Sequence, residues 1–506
     1  MTMIVHKFGG TSVKDANRFS NVAEIIIAQQ EKIAKAGDSG CIVVVSAMAG
    51  VTDQLIAGGQ AAAESQDSIY REIKARLLER HLQVVESLIR SPERLEVGGL
   101  VEDRLHDLER LYRSIAVLGE FTQRGSDAVT SLGEQLSAHI LAAVLRERDE
   151  RAQAVSAAEL IVTDENFGEA APLKEQTNLR LRQRLLPMIA RGVIPVVTGY
   201  VAASERGVTT TLGRGGSDYT AALIAAGLNA DEAWIWSDVD GILTADPHLA
   251  PEARTLSELS YAEAAELAYY GADVLHPKTL RPVIEANIPL RILNSYNPTH
   301  PGTLIVRQPS PKRKLWTAII STTGLALVTL GTPDDRTGAE HRWTQREAAR
   351  ALQLLGEAGI EVPFFTQSFS EHRLNLVVHE NSLQRCLKVL RKEFGGDDSW
   401  HQAGSPPEEE KVSGRKSNGI YNLDVIEKVA TVSVVGFNRE TEQKATNKKL
   451  GTVARAFTAL GKHGTRIIAV AQAGTENSIS FCIPAEQTEG AVRFLHHELG
   501  PEVNNE

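Results

Sequence analysis

Cysteine is scarce in this chain. Cys41, Cys386 and Cys482 are the only three in 506 residues, too scattered for a metal-ligand spacing or a disulfide framework, and they read as reduced, mostly buried thiols of a cytoplasmic protein. Long apolar runs are missing too. No stretch approaches the ~18 uninterrupted apolar residues of a membrane span, and the run 221–230 reads as a small-residue helix of a soluble core. Met1–Val5 is too short for the apolar centre of a secretion signal, and a glycine turn follows at once, so a cytoplasmic location is expected. Nor is there an excess of positive charge. Lys and Arg number 54 against 64 Asp and Glu, a net charge of −10, which argues against general affinity for nucleic acid or an anionic membrane.

What is present is a chain that is 42% hydrophobic, long enough for roughly three domains of about 150 residues each. Met3–His6 and the fully apolar Cys41–Ser46 read as strands of a parallel sheet buried on both faces. Val13, Ala16, Phe19, Ala23 and Ile26 recur at helical spacing across Ser12–Lys32. Residues 68–145 are long charged helices, after which strands at Val193–Thr198 and Ala233–Ser237 alternate with helices at Tyr219–Gly227 and Tyr261–Leu275. Such alternation predicts an α/β body, an open and mostly parallel sheet sandwiched by helices. The pattern changes after PSPKRK at Pro309–Lys314. Two segments then repeat the same strand and helix order over about 80 residues, as two copies of a ferredoxin-like βαββαβ module. The expected division is 1–308 for the body, 315–395 and 425–506 for the modules, and a flexible linker over the polar 396–424.

Four stretches could carry chemistry. KFGGTS, from Lys7 to Ser12, is either a tight turn or a phosphate cradle, since glycines let backbone N–H groups approach an anion and a following helix offers further donors. Its lysine precedes the glycines, which is not the P-loop order. TTTLGRGGSDYTAALIAAG (Thr209–Gly227) is a strand end, a glycine loop and a helix expected to be capped by Ser217 or Asp218. Arg214 there brings a planar fork suited to carboxylate or phosphate. WIWSDVDGILTADP gathers Asp238, Asp240 and Asp246, either capping local turns or meeting a metal or nucleotide; the spacing fails the calcium-loop pattern. SLGEQLSAHI puts Glu134 one helical turn from Ser131 and Ser137. In open α/β sheets such loops gather at the carboxyl ends of the strands.

KFGGTSV, VSAMAGVTDQL, GEQLSA, TTTLGRGGSDYTAALIA, WSDVDGILTADP and AEAAELAYYGADVLHP, in this order and spacing, resemble aspartate kinase, of the amino-acid-kinase fold, and the duplicated tail resembles its paired ACT modules. The resemblance spans nearly the whole chain. It implies transfer of the γ-phosphoryl group of ATP to the β-carboxylate of L-aspartate, with Mg²⁺ accompanying ATP and no dedicated protein metal site. It implies that Lys7 neutralises the transferring group beside Phe8, Gly9 and Gly10, and that Asp218 orients Lys7 or the magnesium shell. Arg214 would clamp the substrate, Glu134 would meet its ammonium group, and Ser46, Thr52 and Ser217 would supply hydroxyls. Ser237, Asp238 and Leu243 would line the nucleotide. In the tail, Gln367 and Gln472 would contact an allosteric amino acid, threonine or lysine, unless both are ordinary strand-edge glutamines. ACT pairing implies at least a homodimer, and with no dehydrogenase domain following, the chain is expected to be monofunctional. The alternative is a non-catalytic amino-acid sensor built on the same fold.

Departures from that family fall on the nucleotide side. Leu243 stands where relatives often carry tyrosine, His248 where an arginine is frequent and Asp273 where lysine is usual. Two cations are thereby lost near the phosphates, and either ATP binding weakens or another base, Lys278 being the candidate, compensates. Asp273→Lys is expected to lower the Michaelis constant for ATP by roughly twofold to fivefold, the range of one exposed ion pair. An unchanged constant in steady-state kinetics would remove the inference.

Overall fold

The structure, a computed structural model, describes residues 2–34, 39–270, 275–310, 318–331, 345–368, 373–394, 422–436, 451–472 and 478–499. Contacts divide the chain into two units: Met1–Ile242 with Thr255–Arg313, and Leu243–Arg254 with Lys314–Glu506.

The first unit carries strands β1 (Thr2–Phe8), β2 (Ser39–Val45), β3 (Ala152–Val155), β4 (Val162–Thr163), β5 (Ile194–Thr198) and β6 (Val201–Ser204). β7 (Thr209–Thr211), β8 (Glu232–Ser237), β9 (Glu258–Ser260), β10 (Leu290–Asn294) and β11 (Thr303–Val306) complete it. Eight of these form one sheet in the order β3-β5-β2-β1-β8-β10-β11-β9, parallel throughout except at β10–β11. The expected open, mostly parallel sheet is therefore present. β1 and β2, buried along most of their lengths, sit at its centre because both their faces must be covered. β2 flanks β1 on one side and β8 on the other, so loops leaving the carboxyl ends of all three converge at a switch point, where open α/β sheets bind ligands.

Helices α1 (Ala16–Ala34), α2 (Val51–Ala63), α3 (Asp67–Leu88), α4 (Glu93–Leu118) and α5 (Gln123–Arg146) share one apolar core with Phe8, Val43, Val45 and Trp236. α5 is the one helix among the described residues long and apolar enough to cross a membrane, yet it is a core helix, 83% buried over its most apolar stretch. α6 (Lys174–Ile189), α7 (Gly216–Leu228), α8 (Tyr261–Tyr269) and α9 (Pro277–Ala286) follow, α7 packing on β1, β2 and β8. Side chains alternate along a strand. Phe8 thus enters the α1–α5 core while Lys7 projects to the opposite, α7 face.

Aromatic stacking stiffens this centre. Phe8 and Trp236 lie nearly parallel with ring centroids 5.7 Å apart, and the Trp236 indole N–H donates to His6 Nδ1 at 3.2 Å. Burial lowers His6 to about 3, so it stays a neutral acceptor.

In the second unit β12 (Ala318–Gly331), α10 (Gln345–Glu357), β13 (Phe364–Ser368), β14 (Arg373–His379) and α11 (Glu380–Phe394) repeat as β15 (Asn422–Val435), α12 (Thr452–Lys462), β16 (Ala469–Gln472), β17 (Ser478–Pro484) and α13 (Thr488–Leu499). All six strands join one antiparallel sheet, β13-β14-β12-β15-β17-β16. The long strands explain how each module finds a fourth strand. Ala318–Thr322 of β12 pairs with the half of β15 that meets β17, while the start of β15 pairs with the half of β12 that meets β14. Register shifts near Leu325, with positive φ at Gly324 and Lys428, separate the two halves.

Among the described residues Trp236 is the largest fully buried side chain. Trp236→Ala is expected to destabilise the first unit by about 3–5 kcal/mol, read as a fall in the denaturant midpoint with the slope retained.

Candidate active site

Three loops and one helix build the site. After β1 the chain turns at Gly9 into a single 3-10 turn, Gly10–Val13. A Cβ on Gly10 would lie 2.9 Å from the Ala47 carbonyl, so a glycine is needed for this loop to rest on the one that follows β2. The Ser46 N–H donates to the Phe8 carbonyl at 3.1 Å and the Ala49 N–H to Gly10 at 3.1 Å, fastening the two together. The third loop precedes α7. Gly213 and Gly215 both hold left-handed φ, +74° and +71°, and a Cβ at Gly215 would collide with His276.

Gly215, with no side-chain cap, is the N-cap of α7. The expectation that Ser217 or Asp218 caps this helix is corrected: both stand inside its first turn, and their side chains are released toward the cavity. An acid there is also favoured by the helix dipole. The Asp218 carboxylate meets Lys7 Nζ at 2.6 Å, the two side chains being 15% and 11% exposed.

α5 forms the facing wall. Gly133 lets it approach closely, since a Cβ there would be 2.7 Å from Ala47 Cβ, and the next residue, Glu134, is 4% exposed. Its Oε2 has no hydrogen-bond partner. Desolvation pushes its carboxyl up to about 8, against the pull of backbone donors at Ala47 and Glu134 itself. An acid so placed is stabilised by an incoming cation.

Between these walls lies a cavity of about 490 Å³. Lys7, Gly10, Ser46, Thr52, Glu134, Arg214, Ser217 and Asp218 all line it, so every substrate-side residue named from the sequence converges on one space. Of the residues expected on the nucleotide side, Lys7 and Gly10 line it, and Phe8, Gly9, Ser237, Asp238 and Leu243 do not. The Phe8 ring is locked in the core against Trp236, which leaves only its backbone for a ligand. The Gly9 N–H points to the Trp236 carbonyl at 3.4 Å. Ser237 and Asp238, at the end of β8, bond each other at 3.1 Å outside the cavity lining. Leu243 belongs to the second unit. Lys278 is paired with Glu169, His248 is exposed, and Asp273 lies outside the described residues. In the tail, Gln367 is half-buried on β13 and Gln472 exposed on β16, the two edge strands of the sheet.

Tyr200 and Gly168 line the cavity as well without any local sequence signal. Tyr200 is a non-glycine at φ +65°. Among the described residues no group of three or more His, Cys, Asp or Glu could cage a metal.

The amino acid kinase family pattern matches residues 2–294, and an ACT domain pattern matches 338–394 and 445–499. A bifunctional aspartokinase/homoserine dehydrogenase of Haemophilus influenzae is 30% identical over 98% of this chain, which spans 56% of that relative. Aspartokinase 3, chloroplastic, of Arabidopsis thaliana is 31% identical over 97% of this chain and 80% of its own length. Among solved structures, E. coli aspartokinase III in complex with aspartate and ADP, in its R-state, matches with a TM-score of 0.77 at 27% identity, covering 98% of this chain and 99% of that one. The same enzyme with lysine and aspartate, in its T-state, matches at 0.74. From the Lys7 turn to the last ACT helix, this chain belongs to the aspartokinases of the amino acid kinase family.

Proposed function

We propose that this chain is an aspartate kinase. It transfers the γ-phosphoryl group of ATP to the β-carboxylate of L-aspartate, giving 4-phospho-L-aspartate and ADP, the first step toward lysine, threonine and methionine. One observation carries the reading: a buried Glu134, one of whose carboxylate oxygens has no partner, faces the same cavity as Arg214 and the Lys7–Asp218 pair. That set matches a ligand with one ammonium and two carboxylates. Aspartate and ADP are what the E. coli relative holds.

The acceptor carboxylate, with a pKa of ~3.9, is ionised at neutral pH and needs no general base. Catalysis then consists of positioning and electrostatic relief. Lys7 is a point charge for the moving phosphoryl oxygens, and Asp218 holds it in place. Arg214 takes the α-carboxylate, Glu134 the ammonium, and Ser46, Thr52 and Ser217 donate from hydroxyls. Magnesium would arrive with the triphosphate and lend charge neutralisation, held mostly by phosphate and water, with Asp218 the acidic side chain at hand.

Regulation runs through the ACT sheet, with Gln367 and Gln472 proposed to meet threonine or lysine. Lysine is bound by the E. coli relative in its T-state. A homodimer or larger assembly is proposed because β13 and β16 are edge strands. A cytoplasmic location accords with three buried free cysteines.

Hydroxylamine trapping tests the activity. The chain with ATP, magnesium and aspartate is expected to yield aspartyl hydroxamate, Lys7→Ala to lose about 10²–10³-fold in turnover, and added lysine or threonine to inhibit. No hydroxamate from the intact chain would leave the sensor reading instead.

Glu134 gives a pH signature. Its carboxyl titrates near 8 in the unliganded site, so below that pH it must lose a proton before pairing with an ammonium group. The Michaelis constant for aspartate should fall about tenfold per unit from pH 6 toward 8 and level off above. Glu134→Gln should raise that constant and flatten the profile. A wild-type profile flat across this range would contradict the assignment.

A further inference from the structure

Asp127 lies outside the cavity, yet it governs two of the walls. It is seven residues before Glu134 on α5, two turns and about 10 Å along one helix face. At 1% exposure its carboxylate is saturated. Oδ2 accepts from the Gly168 N–H at 3.0 Å and the Thr211 N–H at 3.1 Å, and Oδ1 accepts from the Thr211 hydroxyl at 2.8 Å.

Each of these donors leads to the site. Gly168 lines the cavity, and its carbonyl lies 3.2 Å from where a Cβ on Gly213 would be. The Ala170 N–H donates to the Thr211 carbonyl at 2.9 Å, zipping the same two segments. Thr211 ends β7, three residues before Arg214. The Leu212 N–H, next after Thr211, donates to the carbonyl of the cavity-lining Tyr200 at 3.0 Å. One carboxylate thus ties the helix that carries the ammonium-binding Glu134 to the strand that delivers the carboxylate-binding Arg214.

We infer that Asp127 is a positioning residue that sets the span between Glu134 and Arg214, and through it the length of dicarboxylic amino acid the site accepts. The inference rests on the aspartate kinase reading and deepens it. A substrate longer by one methylene places its reacting carboxylate differently once both ends are held, and misplacement near 1 Å costs about 10²-fold. Loosening the span therefore weakens aspartate and relaxes the exclusion of glutamate together, while ATP is untouched.

The test compares hydroxamate formation by the full chain and its Asp127→Ala, Asp127→Asn and Thr211→Val variants, with aspartate and with glutamate. Asp127→Ala is expected to raise the Michaelis constant for aspartate about tenfold, to leave that for ATP within twofold, and to lower the aspartate-over-glutamate preference about tenfold. Asp127→Asn should restore most of this, because its oxygen can accept both N–H groups and its amide can donate to the Thr211 hydroxyl. Thr211→Val keeps the backbone bond and should shift the same two quantities by less, which preserves the test if the alanine variant does not fold. Unchanged aspartate constant and preference in both Asp127→Ala and Thr211→Val, or equal losses toward aspartate and ATP, overturn the proposal while an active wild type leaves the kinase reading standing. A wild type that forms no hydroxamate removes both.

Discussion

A lysine ammonium held 2.6 Å from a carboxylate, Lys7 against Asp218, is the contact on which the site depends. A phosphorylating enzyme with a carboxylate acceptor must bring two anions together. At about 4 Å and an effective dielectric near 20 their repulsion is about 4 kcal/mol, enough to hold the reactants apart. Cations fixed in advance offset it. Strand alternation puts Lys7 on the α7 side of β1, and the glycine N-cap of α7 leaves Asp218 in the first turn to meet it. Asp218 withdraws some of the positive charge it steadies. The remainder comes from Arg214 and from the positive end of the α7 dipole. Position, rather than total charge, is what the pair supplies.

Much of this was legible in the sequence because its causes are local. Lys7, Gly9, Gly10 and the Arg214 loop follow from glycine chemistry and from an apolar strand running into a helix. The duplicated tail follows from repeated element order. What depends on distant partners was not legible. Ser217 and Asp218 looked like caps because their residue types suit that role, but the left-handed Gly215 had already ended the loop. Tyr200 carries no local mark, since its backbone is held by Thr220 and Leu212 from other parts of the chain. The pairing of half of β12 with half of β15 likewise depends on strands far apart in the chain. Asp127 left one trace, its seven-residue spacing from Glu134 along one face of α5.

The segment Leu243–Arg254 joins catalysis to regulation in a way that motif order alone does not show. Its Thr-Ala-Asp-Pro stretch reads as part of the nucleotide side, yet its contacts group it with the tail. Ala245 and Ala250 share a core with Leu460, Phe481 and Leu495. Thr244 Oγ1 lies 2.9 Å from His496 Nε2, and its carbonyl accepts from the Ile319 N–H at 2.7 Å. Burial lowers His496, with Glu252 opposing. The chain enters this segment from Ile242, whose N–H is tied to the Thr303 hydroxyl at 2.8 Å in the kinase body. The segment that follows the end of β8 is thus packed as part of the ACT core.

Two acids on one face of α5 show how scaffold and site are told apart physically. Asp127 and Glu134 are both buried, and desolvation raises the pKa of each. The first is met by three protein donors that oppose the rise. The second has an oxygen without a partner, although an apolar residue in its place would cost the fold less. Saturation makes Asp127 a strut, indifferent to ligand. The open oxygen leaves Glu134 able to meet a cation, in the proposed reading the substrate ammonium. On the proposed reading an amino acid brings a positive charge to that wall, which a simple dicarboxylate does not. The proposed selection for an amino group thus rests on what α5 leaves unsatisfied.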